Sequence, residues 1–194
     1  MKTTKPIYRH QSDINHRRSI RLKEYDYSQN NAYFVTIWAQ NKQCLFGDIV
    51  NSKMVLNPAG LMTVIWFREL QKKYNNLQCD EFVCMPNHLH FIIKLEGAGL
   101  PAHLHEPNQI NIPTVIQWYK TMTTNTYIRG VKQGDWQPFS GKLWQRNYWE
   151  RVIRNQDELN SIRDYIKTNP MRWEQDKLFA TQSNQTRADE YPIG

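Results

Sequence analysis

The sequence predicts an α+β domain with a mostly antiparallel sheet and helices packed against one face of it. Short runs rich in aromatic and β-branched residues predict the strands, beginning with Asn31 to Gln40. Longer runs with apolar residues at helical spacing predict the helices, beginning with Pro58 to Tyr74. The predicted order is strand, hairpin, helix, strand, strand, helix, helix, which is typical of this class.

A predicted hairpin lies between the first strand and the first helix. Two short extended stretches, Gln43 to Ile49 and Lys53 to Leu56, flank Val50 to Ser52. Asn57 and Pro58 then predict the helix start, because asparagine caps a first turn and proline fits within it.

A second pair of strands is predicted after this helix. Leu77 to Met85 and His88 to Leu95 are extended runs joined at Pro86-Asn87. Glu96 to Asn111 is rich in glycine, proline, histidine and asparagine and predicts a surface loop. Helical spacing resumes from Pro113 to Ile128.

The last part of the chain opens with a turn-rich stretch from Gly130 to Gly141. Leu143 to Ile153 mixes aromatic and basic residues and is assigned neither helix nor strand. Asn155 predicts the cap of a final helix, and Asn169-Pro170 predicts its end or a kink.

The length of 194 residues fits a single domain. We expect this domain to span residues 26–178, with a loop insertion at about 96–111. Residues 1–25 form a predicted basic arm, and residues 179–194 form a predicted polar tail.

Positive charge is concentrated near the start of the chain. The formal net charge is +7, and residues 1–25 hold seven basic side chains against two acidic ones. This excess favours a polyanionic partner, since phosphate contacts release counterions. No apolar run is long enough to span a bilayer, and the three cysteines form no Cys-x-x-Cys pair. We therefore expect a cytoplasmic protein with no membrane partner.

The triplet His88-Leu89-His90 is a candidate metal half-site. It opens a predicted strand, where side chains alternate between faces, so both imidazoles project from one face and can reach one ion. The alternative is a pair of histidines on the polar face of a half-buried strand. An identical triplet, His103 to His105, lies between prolines in the predicted loop, where no strand orients it, and we expect no catalytic role there.

Tyr165 and Asn169 are a second candidate pair. They are four residues apart in the last predicted helix, so the phenol and the carboxamide share one helical face. If Asn169 ligates a metal, Tyr165 lies close to whatever the metal polarises. The alternative is a core tyrosine followed by an asparagine that caps the helix.

Four segments of the chain resemble a known family. They are RRSIRLKEYDYSQNNAYFVTIWAQNKQCLFGDI, MPNHLHFIIKL, LWQRNYWERVIRNQDEL and RDYIKTNPMRW. In this order they resemble the REP-associated tyrosine transposases, relatives of the single-tyrosine HUH transposases of small insertion sequences. The resemblance runs from about Arg17 to Trp173 and implies a ferredoxin-like fold.

The resemblance also implies roles for the candidate residues. It places the paired metal ligands at His88 and His90, the third ligand at Asn169 and the nucleophile at Tyr165. The implied reaction cuts and rejoins single-stranded or hairpin DNA of repetitive REP type through a 5′-phosphotyrosine. The implied metal is Mg²⁺ or Mn²⁺, because both suit phosphate oxygens and Mn²⁺ also suits imidazole. Such a protein would lie on the nucleoid, as a monomer or a homodimer.

Basic and aromatic residues supply candidate DNA contacts, because rings stack on unpaired bases while cations bind phosphates. Trp149 fits a core position as well as it fits base stacking. The candidates are Arg17, Arg18, Arg21, Lys23, Trp144, Arg146, Tyr148, Arg151 and Arg154.

Two other functions remain open at this point. One is a DNA-binding protein that has the fold and has lost the chemistry. The other is a metal hydrolase for a small phosphoester, for which the basic arm would be superfluous.

Overall fold

The computed structural model describes residues 32–95 and 110–175. The predicted basic arm, the polar tail and the loop insertion up to residue 109 lie outside these ranges. The described elements, in chain order, are β1 (Ala32–Trp38), a 3-10 turn (Gln40–Lys42), β2 (Gly47–Val50), β3 (Lys53–Leu56), α1 (Pro58–Lys73), β4 (Leu77–Cys84), β5 (His88–Leu95), α2 (Ile112–Gln133), β6 (Trp149–Ile153), α3 (Gln156–Thr168) and a further 3-10 turn (Asn169–Gln175).

The main sheet has four antiparallel strands in the order β4-β5-β1-β6. The β2–β3 hairpin, which follows β1 and precedes α1 along the chain, forms a separate two-stranded sheet. Without that hairpin the chain order from β1 to β6 is β-α-β-β-α-β, which with this strand order is the ferredoxin-like arrangement, and α3 follows it. The predicted fold class is therefore confirmed.

The helices lie on both faces of the sheet, which corrects the expectation of a single covered face. Tyr33, Val35 and Leu89 share a core with α1 and α2. Phe34 and Ile92, whose side chains project to the opposite face, share a second core with α3. The physical reason is that the side chains of β5 are apolar or buried on both faces of the sheet, so both faces must be covered by helices.

An asparagine starts each of these three helices by accepting a hydrogen bond from a backbone N–H three residues later. This device satisfies a donor that has no partner within the helix. The pairs are Asn57 with Gly60 (2.9 Å), Asn111 with Thr114 (3.0 Å) and Asn155 with Glu158 (2.8 Å).

Two stretches differ from the sequence predictions. The strand β6 lies within the aromatic and basic stretch that was assigned no element, and it pairs with β1. Helix α2 continues to Gln133 instead of ending near Ile128. Gly130 is therefore helical, and the ring of Trp136 packs against it where a Cβ would collide. Within residues 32–95 and 110–175, no helix has the length and apolar character that a membrane span requires.

Candidate active site

His88 and His90 lie on the face of β5 that α3 covers. Leu89, between them, points into the opposite core. Both imidazoles are buried, and their Nε2 atoms approach to 3.0 Å. The predicted alternation along the strand thus brings the two rings together at one point.

Two neighbouring side chains orient these rings through their other nitrogens. Nδ1 of His88 lies 2.7 Å from Oδ1 of Asn87, which accepts its hydrogen. Nδ1 of His90 lies 2.8 Å from Oγ1 of Thr36 on β1. Because each Nδ1 contacts a neighbouring side chain, the two Nε2 atoms are left to face each other. In metal sites, a hydrogen bond to one ring nitrogen likewise fixes which nitrogen binds the ion.

Sequence reasoning missed both orienting residues. Asn87 was interpreted only as part of a turn, although its position directly before the triplet was a usable signal. Thr36 is a hydroxyl residue within an aromatic and aliphatic strand, and only the β1–β5 register places it opposite His90.

Burial keeps both imidazoles neutral at physiological pH. It lowers the pKa of His90 to about 3. It also lowers the pKa of His88 well below its usual range, with smaller contributions from His90 and from the cationic Lys42. Neutral imidazole is the form that binds metal ions, so the pair is ready to act as a ligand.

Tyr165 reaches the histidine pair from α3. Its Oη atom lies 3.5 Å from Nε2 of His90, and the two ring centroids are 5.4 Å apart. The ring of Phe34 contacts Tyr165 edge-on at 6.0 Å. The helix and strand that the sequence could not place side by side therefore meet at this phenol.

Asn169 lies at the end of α3 with 2% of its surface exposed. Its Oδ1 atom is buried and has no hydrogen-bond partner among the described residues. Tyr165, one turn earlier, contacts His90, and Trp173, four residues later, stacks on His88 at 6.0 Å. The chain that carries Asn169 therefore crosses over the histidine pair.

Ion pairs fix α3 to the sheet beside the apolar contacts. Asp80 on β4 accepts hydrogen bonds from Arg163 at 2.6 and 2.8 Å and pairs with Lys94 at 2.8 Å. The hydrogen bonds from Arg163 hold the pKa of Asp80 well below its usual range. One turn further along α3, Lys167 pairs with Glu81 at 2.9 Å. These contacts set the position of the helix that carries Tyr165.

We expect Asp80→Asn to destabilise the fold by about 1 kcal/mol at pH 7, because two partly exposed cations lose a partly buried carboxylate partner and solvent screens the pairs. A carboxylate with a lowered pKa stabilises the fold above its unfolded pKa of about 3.9 and loses that effect as pH falls further. The difference from wild type should therefore shrink in acid, which urea unfolding at pH 7 and pH 3.5 would measure. Asp164→Asn, on the exposed side of the same helix, is the control. Equal stability of Asp80→Asn and wild type at pH 7 would refute this role.

The two aromatic residues among the candidate DNA contacts, Trp144 and Tyr148, differ in how deeply they are buried. Trp144 is a core residue, which corrects its assignment as a stacking residue: it is 4% exposed, stacks on Phe46 and donates to Thr123 at 2.8 Å. Tyr148 is half-buried, with Nζ of Lys120 over its ring at 5.4 Å.

The basic candidates on and beside β6 are exposed. They are Arg146, Arg151 and Arg154, and Arg151 pairs with Glu158 of α3. Arg17, Arg18, Arg21 and Lys23, like the second histidine triplet, lie outside the described residues.

Comparisons with known proteins show which proteins this chain is similar to. An uncharacterized protein of Haemophilus influenzae is 37% identical over 176 residues, which covers 88% of this chain and 97% of its own. A solved REP-associated tyrosine transposase bound to a REP hairpin is 18% identical, with a TM-score of 0.49, over 78% of this chain and 74% of its own. A proposed transposase of Deinococcus radiodurans is 15% identical, with a TM-score of 0.43, over 76% and 95%.

The family model decides the assignment. The model described as "Transposase IS200 like" matches residues 26–169, well over half of the chain. This match covers β1 to α3, including the histidine triplet and Tyr165. The chain belongs to the IS200-like transposase family.

Proposed function

We propose that this protein is a metal-dependent transposase and nickase that cuts and rejoins single-stranded DNA through a 5′-phosphotyrosine on Tyr165. The observation that carries the proposal is the position of the phenol. Its Oη lies 3.5 Å from Nε2 of His90, which in turn lies 3.0 Å from Nε2 of His88. A nucleophile beside two neutral ligand nitrogens is the combination that metal-assisted phosphoryl transfer requires.

The residues present fit a divalent ion. Ligand distances of about 2.1 Å at right angles give an edge of about 3.0 Å between ligand atoms, and the two Nε2 atoms are separated by 3.0 Å. The described residues contain no cluster of three histidine, cysteine, aspartate or glutamate side chains. The buried Oδ1 of Asn169, which has no hydrogen-bond partner among the described residues, suits the role of a third donor. We assign His88, His90 and Asn169 to Mg²⁺ or Mn²⁺.

Unsatisfied donors beside the histidines suit the phosphate. Nδ2 of Asn87 and Nε1 of Trp38 are both buried without a hydrogen-bond partner in the part of the chain that the structure describes. Asn87 directly precedes β5, and Trp38 lies opposite His88 in the β1–β5 pair. Both are N–H donors, and an acceptor-rich phosphodiester bound at the histidine pair is the kind of group that such donors suit.

The chain's own residues perform the transfer. Tyr165 Oη forms a bond to phosphorus and the bond from phosphorus to the 3′ oxygen breaks, while the proton that the phenol gives up is balanced by the proton that the departing 3′ oxygen takes up. A bound divalent ion would withdraw charge from the phosphate oxygens. The 3′ hydroxyl that is released can later attack the phosphotyrosine, so the strand is resealed without a nucleoside triphosphate.

We expect Asn169→Ala to raise the Mn²⁺ concentration needed for half-maximal cleavage by about 10- to 100-fold, because one oxygen donor is lost. A titration of cleavage rate against Mn²⁺ measures this shift. Asn160→Ala, on the exposed side of α3, should leave the titration unchanged. A lower maximal rate with an unshifted metal dependence would remove Asn169 from the ligand set.

The proposed targets are hairpin-forming repeats of REP type, a choice that follows from the sequence resemblance. The test incubates hairpin oligonucleotides, labelled at the 5′ or the 3′ end, with protein and Mg²⁺ or Mn²⁺. Denaturing gels should show a covalent adduct that retains the 3′ label and a released strand that retains the 5′ label. DNA binding with neither product would favour the alternative, a binding protein that has lost the chemistry.

A further inference from the structure

Trp149 is an exposed aromatic side chain beside the candidate active site. It lies on β6 opposite Thr36, the residue that contacts His90. Its ring contacts Phe34 edge-on, with centroids 5.5 Å apart and planes at 76°. Trp149 therefore shares the sheet face that carries the histidine pair.

The exposure of Trp149 sets it apart from the other rings. With 40% of its surface exposed, it is the most exposed aromatic side chain within the described residues. Burying an aromatic side chain stabilises a fold, and Trp149, on the edge strand β6, forgoes part of that stabilisation. Such a ring is available to a ligand with a flat apolar face.

Phe34 connects this exposed ring to the reacting groups. The same phenyl ring contacts Trp149 at 5.5 Å, Tyr165 at 6.0 Å and His90 at 5.3 Å. One buried ring therefore separates Trp149 from the phenol that is proposed to attack phosphorus. A base next to a phosphate at Tyr165 would therefore lie near Trp149.

The charge around Trp149 matches a nucleic acid strand. Arg151, two residues along β6, projects from the same face, and Arg154 follows the strand; both are exposed. Arg146 is exposed just before β6. Arg151 is ion-paired with Glu158 of α3, so Arg146 and Arg154 are the cations that we assign to the phosphates. A stacking ring with cations nearby is the arrangement with which proteins hold unpaired bases and their phosphates.

We propose that Trp149 is a stacking platform for an unpaired nucleobase directly next to the phosphate that Tyr165 attacks. This inference rests on the proposed function and adds a binding subsite to it. A base within a duplex presents its faces to its neighbours, so the platform would select single-stranded DNA at the cut.

The test compares cleavage rates on an intact single strand and on strands with an abasic site at one or the other nucleotide flanking the cut. Trp149→Ala should lower kcat/KM on the intact strand by about 5- to 150-fold, the range that loss of one base stack gives. Trp149→Phe should retain most of the activity. Ile65→Ala removes a similarly exposed apolar side chain from α1, on the opposite side of the sheet, and should have no effect.

The abasic strands separate stacking from a structural role. At one of the two positions, wild type and Trp149→Ala should cleave at the same rate, because the base that Trp149 holds is absent. An equal loss on intact and abasic strands, or no loss at all, would overturn the inference while leaving the proposed function in place. A wild-type protein that cuts no strand would overturn both.

Discussion

Tyr165→Phe is expected to abolish the covalent DNA adduct and to lower strand cleavage by at least about 1,000-fold. The substitution removes only the Oη atom, which lies 3.5 Å from Nε2 of His90. The phenyl ring keeps its edge contact with Phe34, so the helix should remain docked. Quantifying the adduct on denaturing gels measures the effect.

Binding and folding controls accompany this variant. Tyr165→Phe should bind hairpin DNA within about twofold of wild type, because stacking and charge contacts do not depend on one hydroxyl. Tyr74→Phe, at the end of α1 on the other side of the sheet, should cleave normally. If Tyr165→Phe still forms an adduct, another residue is the nucleophile.

His90→Ala is expected to lower the proposed metal-dependent cleavage by more than about 100-fold, because a proposed ligand is lost and the contact with Tyr165 disappears with it. Its Nε2 is the atom closest to both His88 and the phenol. Titration of Mn²⁺ by calorimetry should show a correspondingly weaker site. His90→Gln retains a polar side chain of similar length, so it tests whether the loss comes from the missing imidazole or from unfolding. This variant should remain folded and should bind Mn²⁺ weakly.

The second histidine triplet supplies a matched control. The double substitution His103→Ala with His105→Ala removes the same residue types from the predicted loop and should leave cleavage and Mn²⁺ affinity unchanged. If the loop variant lost activity while His90→Ala retained it, the assignment of the metal site would be reversed.

The helices and most strands were predictable because their signals are local. Asn57 and Asn155 cap helices through hydrogen bonds to residues three positions away, so the pattern can be read within a short window. The strand β6 was not predictable in this way. Its apolar residues Val152 and Ile153 point to opposite faces, and Glu150 and Arg151 interrupt any simple alternation.

The wrong assignment of Trp144 to DNA contact, and the open alternatives for Trp149, both follow from the missed strand. Trp144 precedes β6 and packs into the core, whereas Trp149 begins β6 and is exposed. Without the strand boundary, the sequence has no way to assign a face to either ring. The pairing of β6 with β1 decides between them.

The candidate site was predictable only as separate parts. His88 and His90 share a face because strand side chains alternate, and Tyr165 and Asn169 share a face because helix residues four apart do. The contact between Tyr165 and His90 joins residues 75 positions apart, and that between Thr36 and His90 joins residues 54 apart. Contacts of this kind depend on strand order and on which face α3 covers, which one sequence does not specify.

The most direct test of the central proposal is to identify the protein atom that becomes linked to DNA. Wild-type protein is allowed to react with a hairpin substrate and Mn²⁺, the adduct is digested with protease and nuclease, and the modified peptide is sequenced by mass spectrometry. The proposal predicts a nucleoside 5′-phosphate on Tyr165. A phosphate linked to another residue, or a 3′-phosphate linkage at Tyr165, would contradict it.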